Sequence, residues 1–144
     1  MSFGDAAGCT QWETGKKFVE ILEKKVAGKV KFDYFPNGQL GSEQDTVNDC
    51  SMDTLDFSVL AVNNLTPFSP TVGVLTLPYV IQGVDEAAKL TQGTIGEELA
   101  KNTLRDAGVR IVAWTYSGFR VLTNFKRPVK TIVDPNVKTV FCSI

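Results

Sequence analysis

The 144-residue chain has no histidine. That single absence removes Ser-His and Cys-His nucleophile pairs and every His-ligated metal together. Cysteine is scarce and odd in number: Cys9, Cys50 and Cys142 follow no zinc-binding spacing. All three are expected as small buried apolar residues. No apolar run approaches the roughly 20 residues that a membrane-spanning helix needs. No basic block exists either, with 15 Lys and Arg against 16 Asp and Glu and a formal net charge of −1. Non-specific nucleic-acid binding depends on clustered cations that displace counterions, so no nucleic-acid partner is expected. No phosphate-cradling glycine loop or metal motif occurs. A small α/β enzyme working through Glu43, Asp45 or a lysine is therefore the weakest reading, and no cofactor is expected. The opening MSFGDAAGCTQW lacks the charged and apolar regions of a signal peptide, as a secreted chain does once its leader is removed.

What is present is ordinary globular material, 43% hydrophobic and 22% charged, long enough for one domain with a real core. MSFG predicts a short first strand. Phe18, Ile21, Leu22 and Val26 recur at helical spacing among lysines and glutamates, which predicts a helix over 11–27 ended by Gly28. KVKFDYF alternates apolar and polar residues, so 29–35 reads as a half-buried strand. A second helix is expected over 42–52. A buried strand is expected over 55–62, a loop over 63–70, and an extended apolar segment over 72–81. Helix follows over 84–106, broken at Gly93 and Thr94, with Thr94 and Glu97 as a capping box. VRIVAWTYSGFRVLTNF (109–125) predicts a long strand with a bend at Gly118, and 137–144 a last one. Strands alternating with helices imply an α/β fold with a mainly parallel sheet.

In such a sheet, ligands bind off the carboxyl ends of the strands. Three loops qualify: Asp5–Trp12, Pro36–Glu43 and Ala61–Leu65. The middle one is the densest in signals. Pro36-Asn37-Gly38 fits a turn, since Pro presets φ while Asn and Gly tolerate positive φ. Ser42 with Asp45 three residues on fits a helix N-cap and its acidic partner. Glu43 then sits in the first helical turn at a cleft edge. It binds a ligand or a ligand-binding Arg there, or else merely complements the helix dipole. Arg120 interrupts an apolar strand pattern, where a guanidinium either clamps a carboxylate with two parallel hydrogen bonds or faces solvent. Trp12, Trp114 and Tyr116 are either core or ligand platform.

Three stretches carry a family likeness: GKKFVEILEKKVAGKVKFDYFPNGQLGSEQD, LPYVI and SGFRVLTNFKRPVKT. In order, from about Phe3 to Lys138, the chain resembles the extracytoplasmic solute receptors of TRAP transporters, the DctP type. The resemblance implies a periplasmic-binding-protein-like lobe, with 1–125 as that first lobe and 126–144 as the crossover into a second lobe that is largely missing. It implies capture of a small organic acid in the periplasm and delivery to TRAP membrane subunits. It implies no catalysis. The ligand-binding residues expected on this basis are Arg120, Glu43, Trp12, Ala61, Val62, Asn63 and Trp114.

Two departures qualify the likeness. Receptors of this kind are about twice as long. After KT they continue with a stretch whose Arg pairs with the ligand carboxylate, whereas this chain reads VDPNVKTVFCSI and places Val140 there, beside Lys138. The sialic-acid branch of the family calls for a polar residue near Ala6 and an acid near Ala61, so a mono- or dicarboxylate smaller than sialic acid is expected. The alternative is a non-binding fragment that folds by self-association. Strands 109–125 and 137–144 would then pair with another copy, giving a dimer.

Overall fold

A computed structural model of the chain describes residues 1–26, 29–118, 120–124 and 139–143, the last two segments as backbone only. The chain begins with β1 (Ser2–Phe3), followed by α1 (Thr10–Val26), α2 (Glu43–Ser51), β2 (Ser58–Val59) and α3 (Val62–Leu65). A 3-10 helix spans Pro70–Thr76, then come α4 (Val84–Gln92), α5 (Thr94–Ala107), β3 (Arg120–Asn124) and β4 (Thr139–Ser143).

The parallel pairing is short. β1 lies beside β2, with Ser2 opposite Ser58 and Phe3 opposite Val59, and a parallel bridge joins Ser2 to Phe35 on its other side. Three chain segments thus run side by side, Phe35–β1–β2, and their carboxyl ends open at one edge. α1 packs on them because its Val19 and Gly15 turn inward. A Cβ at Gly15 would run into the Phe3 ring. Met1, Phe3 and Val19 form one buried cluster, walled by Trp12, Phe18, Phe32, Tyr34, Phe57 and Val59. Val47, Leu65, Val72 and Leu99 form the other, which draws α2, α3, the 3-10 helix and α5 together.

The expected helices over 11–27, 42–52 and 84–106 are present, the last divided at Gly93; the stop at Gly28 lies outside the described residues. Several expectations need correction. Of the strand expected over 29–35, only Phe35 pairs, and of 55–62 only Ser58 and Val59. The loop over 63–70 begins inside α3. The extended segment over 72–81 instead opens as a 3-10 helix. Pro70 takes its first position, where a missing N–H costs no hydrogen bond. Val109, Ile111 and Trp114 pack on the second cluster, but 109–118 joins no ladder; among the described residues, the pairing in this region involves Arg120–Asn124. β3 pairs antiparallel with β4, Arg120 opposite Ser143. These segments therefore meet within one chain, whereas pairing with another copy was expected. Thr94 is not a cap: Gly93 is the N-cap of α5 and Thr94 its first helical residue. Cys9 is exposed, because it lies in the bend entering α1, and Cys50 is half-buried. Burial pushes the Cys50 thiol up to about 11. Residues 125–138, most of the expected crossover, lie outside the described residues.

Candidate functional site

The edge where the parallel segments end is built from the turn at 36–41. Asn37 and Gly38 both adopt positive φ, 62° and 64°, and Gly41 follows at 99°, conformations that Asn and Gly reach at low cost. The turn is stitched to the loop after β1: the Asn37 amide donates to the Asp5 carbonyl at 2.9 Å and the Gly38 amide to that of Phe3 at 3.1 Å.

α2 starts from a complete capping box. The Ser42 hydroxyl accepts from the Asp45 amide at 3.2 Å, and the Asp45 carboxylate accepts from the Ser42 amide at 2.8 Å and from its hydroxyl at 2.7 Å. Those hydrogen bonds, the hydroxyl's foremost, hold the Asp45 carboxyl below its ordinary range. The box fixes where the helix begins and so where its first residue, Glu43, stands.

Glu43 ties the three loops together. Its Oε2 accepts from the Ala61 amide at 2.7 Å and from Asn64 Nδ2 at 2.7 Å. Its Oε1 accepts from Gln11 Nε2 at 2.9 Å. Gln11 in turn accepts, at 3.4 Å, from the Asp5 amide. A Cβ on Gly4 would collide with the Glu43 carboxyl, so the glycine after β1 makes room for it. Thr46 secures the same helix to β2, its hydroxyl 2.8 Å from that of Ser58. Among the described residues, the hydrogen bonds to the Glu43 carboxylate all come from neutral donors. In the sequence, no Lys or Arg stands before Lys16 or between Lys31 and Lys89.

Of the expected site residues, Glu43 and Ala61 meet directly, with Asn63 exposed beside them. Trp12 faces the core, its ring 5.1 Å from Phe3 and 5.5 Å from Tyr34. Val62 and Trp114 pack on the second cluster. Arg120 opens β3, and its side chain lies outside the described residues. Gln11 and Asn64 were not anticipated. Both lie within the loops singled out, and each is an amide beside apolar neighbours that a buried acceptor would recruit. Among the described residues, no group of cysteines and acids is gathered as a metal site.

The family model of the bacterial extracellular solute-binding proteins, family 7, matches residues 3–136. The 2,3-diketo-L-gulonate-binding periplasmic protein YiaO of Escherichia coli is 30% identical over 125 residues, 87% of this chain and 38% of its own length. The C4-dicarboxylate-binding protein DctB of Bacillus subtilis is 31% identical over 118 residues, 82% of this chain and 33% of its own. A crystal structure of a TRAP periplasmic solute-binding protein from Sulfitobacter, with bound β-D-galacturonate, matches at a TM-score of 0.82 and 25% identity, over 90% of this chain and 43% of that one. The chain spans less than half the length of each.

Proposed function

The chain belongs to the bacterial extracellular solute-binding proteins of family 7, and we propose that it serves as the first lobe of a receptor that captures a small organic acid at the open edge of its parallel strands. The observation that carries this reading is the junction at Glu43. Loops following all three parallel segments converge on one carboxylate, at the edge where α/β sheets bind their ligands. The relatives support the ligand class: 2,3-diketo-L-gulonate, C4-dicarboxylates and galacturonate are all carboxylates. The reading is of binding without catalysis, in the periplasm, with TRAP membrane subunits as the receiving partner. Residues 1–125 form the lobe and 126–144 lead out of it. Arg120 supplies the cation for the ligand carboxylate.

Thermal melting against a panel of uronates, aldonates, C4-dicarboxylates, neutral sugars and amino acids tests it. A ligand at 100 times its Kd adds about 2.7 kcal/mol, so a cognate acid should raise the midpoint progressively with concentration. No shift with any acid at millimolar levels, or an equal shift with a neutral sugar, contradicts the reading.

A second reading, self-association, draws on the exposed apolar run Leu77, Tyr79, Val80 and Val84. Sedimentation across a wide concentration range tests it, with a constant monomer as the contradicting result.

A further inference from the structure

The outermost of the three parallel segments, 29–35, has one edge open. Its burial alternates, with Phe32 and Tyr34 half-buried and Lys31 and Asp33 exposed. Its backbone groups alternate in direction as well. The Asp33 carbonyl accepts from the Met1 amine at 2.9 Å. The Phe35 amide donates to the Met1 carbonyl at 3.0 Å, and the Phe35 carbonyl accepts from the Phe3 amide at 3.0 Å. Residues 33 and 35 thus turn their peptide groups toward β1, and Val30, Phe32 and Tyr34 turn theirs away from it. Among the described residues, nothing bonds to the N–H or C=O of those three.

Such an edge is a template for another strand, and proteins commonly guard it with charge. Here the charge is of both signs. Lys31 and Asp33 are exposed, 3.4 Å apart, and lie on the face opposite Phe32 and Tyr34, which pack beneath α1. Two copies of 29–35 set antiparallel about a two-fold axis at Phe32 bring each Lys31 opposite the partner's Asp33, and each Val30 opposite the partner's Tyr34. The bonding directions agree with this register. The outward-facing Val30, Phe32 and Tyr34 fall in hydrogen-bonded pairs. Lys31 and Asp33 fall in the intervening pairs, where side chains approach most closely. Sliding the copies by two residues sets Lys31 against Lys31 or Asp33 against Asp33, and like charges directly opposite are destabilising. A groove of about 400 Å³ between α1 and Tyr34, with Val19 in its lining, lies beside the edge. Val30 is about half exposed and shares the face of Phe32 and Tyr34, so the partner's Val30, opposite Tyr34, enters this groove.

We propose that the 29–35 edge is a self-complementary interface, pairing with the same edge of a second copy of this chain in the register that matches Lys31 to Asp33. It needs no ligand and uses a surface other than the apolar run at 77–84. It joins the two sheets across a two-fold axis, as isologous dimers do.

Sedimentation of the unmodified protein from about 10 µM to about 1 mM should show a weak monomer–dimer equilibrium, as suits an interface smaller than stable dimers bury. Asp33→Lys sets lysine against lysine, and Lys31→Asp sets acid against acid. Each should weaken the dimer about tenfold or more at low salt. Mixed one to one, the two variants should form a heterodimer of about the unmodified strength, because each then faces opposite charge. Tyr79→Ser should leave the dimer unchanged. Hydrogen exchange followed by NMR reads the register: protection of the Val30, Phe32 and Tyr34 amides should rise with protein concentration, while that of Lys31 should not. A monomer throughout the range overturns the proposal. So does a dimer that neither charge reversal weakens, or a mixture of the two variants that does not associate. Should a variant fail to fold, the unmodified protein decides: a dimer without concentration-dependent protection at Phe32 and Tyr34 overturns the proposal.

Discussion

Two glutamates on neighbouring helices each accept several hydrogen bonds, and the difference between them separates surface from site. Glu20 lies on the outer face of α1, bridging Lys17 at 2.9 Å and Lys24 at 2.6 Å, three and four residues away. Its contacts stay inside one helix and in water. Hydrogen bonds from the two lysines hold its carboxyl down at about 2. Glu43 accepts from Gln11, Ala61 and Asn64, which lie 32, 18 and 21 residues away. It is half-buried, and its partners are neutral. The first glutamate stabilises a helix that already exists. The second joins segments distant in the chain, beside the Asn37–Asp5, Gly38–Phe3 and Thr46–Ser58 bonds at the same edge.

That contrast is open to direct attack. Glu43→Ala should have the largest effect, about 2–3 kcal/mol by denaturant titration, because it strands the Ala61 amide and two side-chain amides at a half-buried point. Gly4→Ala should follow, at about 1–3 kcal/mol, since the added methyl overpacks the Glu43 carboxyl. In a Glu43→Ala background the same change should cost much less, a coupling that a double-mutant cycle measures. Ser42→Ala comes next, at about 1 kcal/mol for a lost N-cap. Its pH dependence has a defined sign. The Asp45 carboxyl titrates lower folded than unfolded, so the capping contribution is present above the unfolded value of about 3.9 and fades as pH falls through the depressed one. Stability curves of Ser42→Ala and the unmodified protein should therefore converge in acid. Glu20→Gln should do least, with no resolvable change in midpoint at 0.15 M salt, because exposed ion pairs are screened. Any stabilisation from Glu20 would likewise be present above the unfolded carboxyl value and be lost as pH falls toward about 2. A Glu20 variant that unfolds as readily as a Glu43 variant would erase the distinction.

The same contrast explains how far the sequence could be read. Contacts between near neighbours were legible: the α1 periodicity, the Ser42–Asp45 box, the Asn37-Gly38 turn and the break at Gly93 all have local physical causes. Motifs from Phe3 to Lys138 pointed to the family. Alternation at 29–35 was read as a strand, yet alternation records only that one side is half-buried. Phe32 and Tyr34 do pack on the first cluster, while their segment meets the parallel strands only at its end, through Asp33 and Phe35. The apolar run 72–81 misled for a related reason. Val72 is fully buried in the second cluster, but Leu77, Tyr79 and Val80 are exposed, so only the start of the run is core and none of it is strand. Gln11 and Asn64 escaped notice because an amide announces a partner only when the acceptor is known. The three loops were singled out from topology alone, and the residue that joins them was in the list, but its partners lay too far along the chain to infer.

The most direct test of the Glu43 junction as the ligand site is a backbone and side-chain amide NMR titration with galactonate. The Ala61 amide and the Gln11 and Asn64 side-chain amides should shift together, saturating with one dissociation constant, while amides on the outer face of α1 around Glu20 stay still. Saturable shifts confined to other parts of the chain, with Ala61, Gln11 and Asn64 unmoved, would place the ligand elsewhere and contradict it.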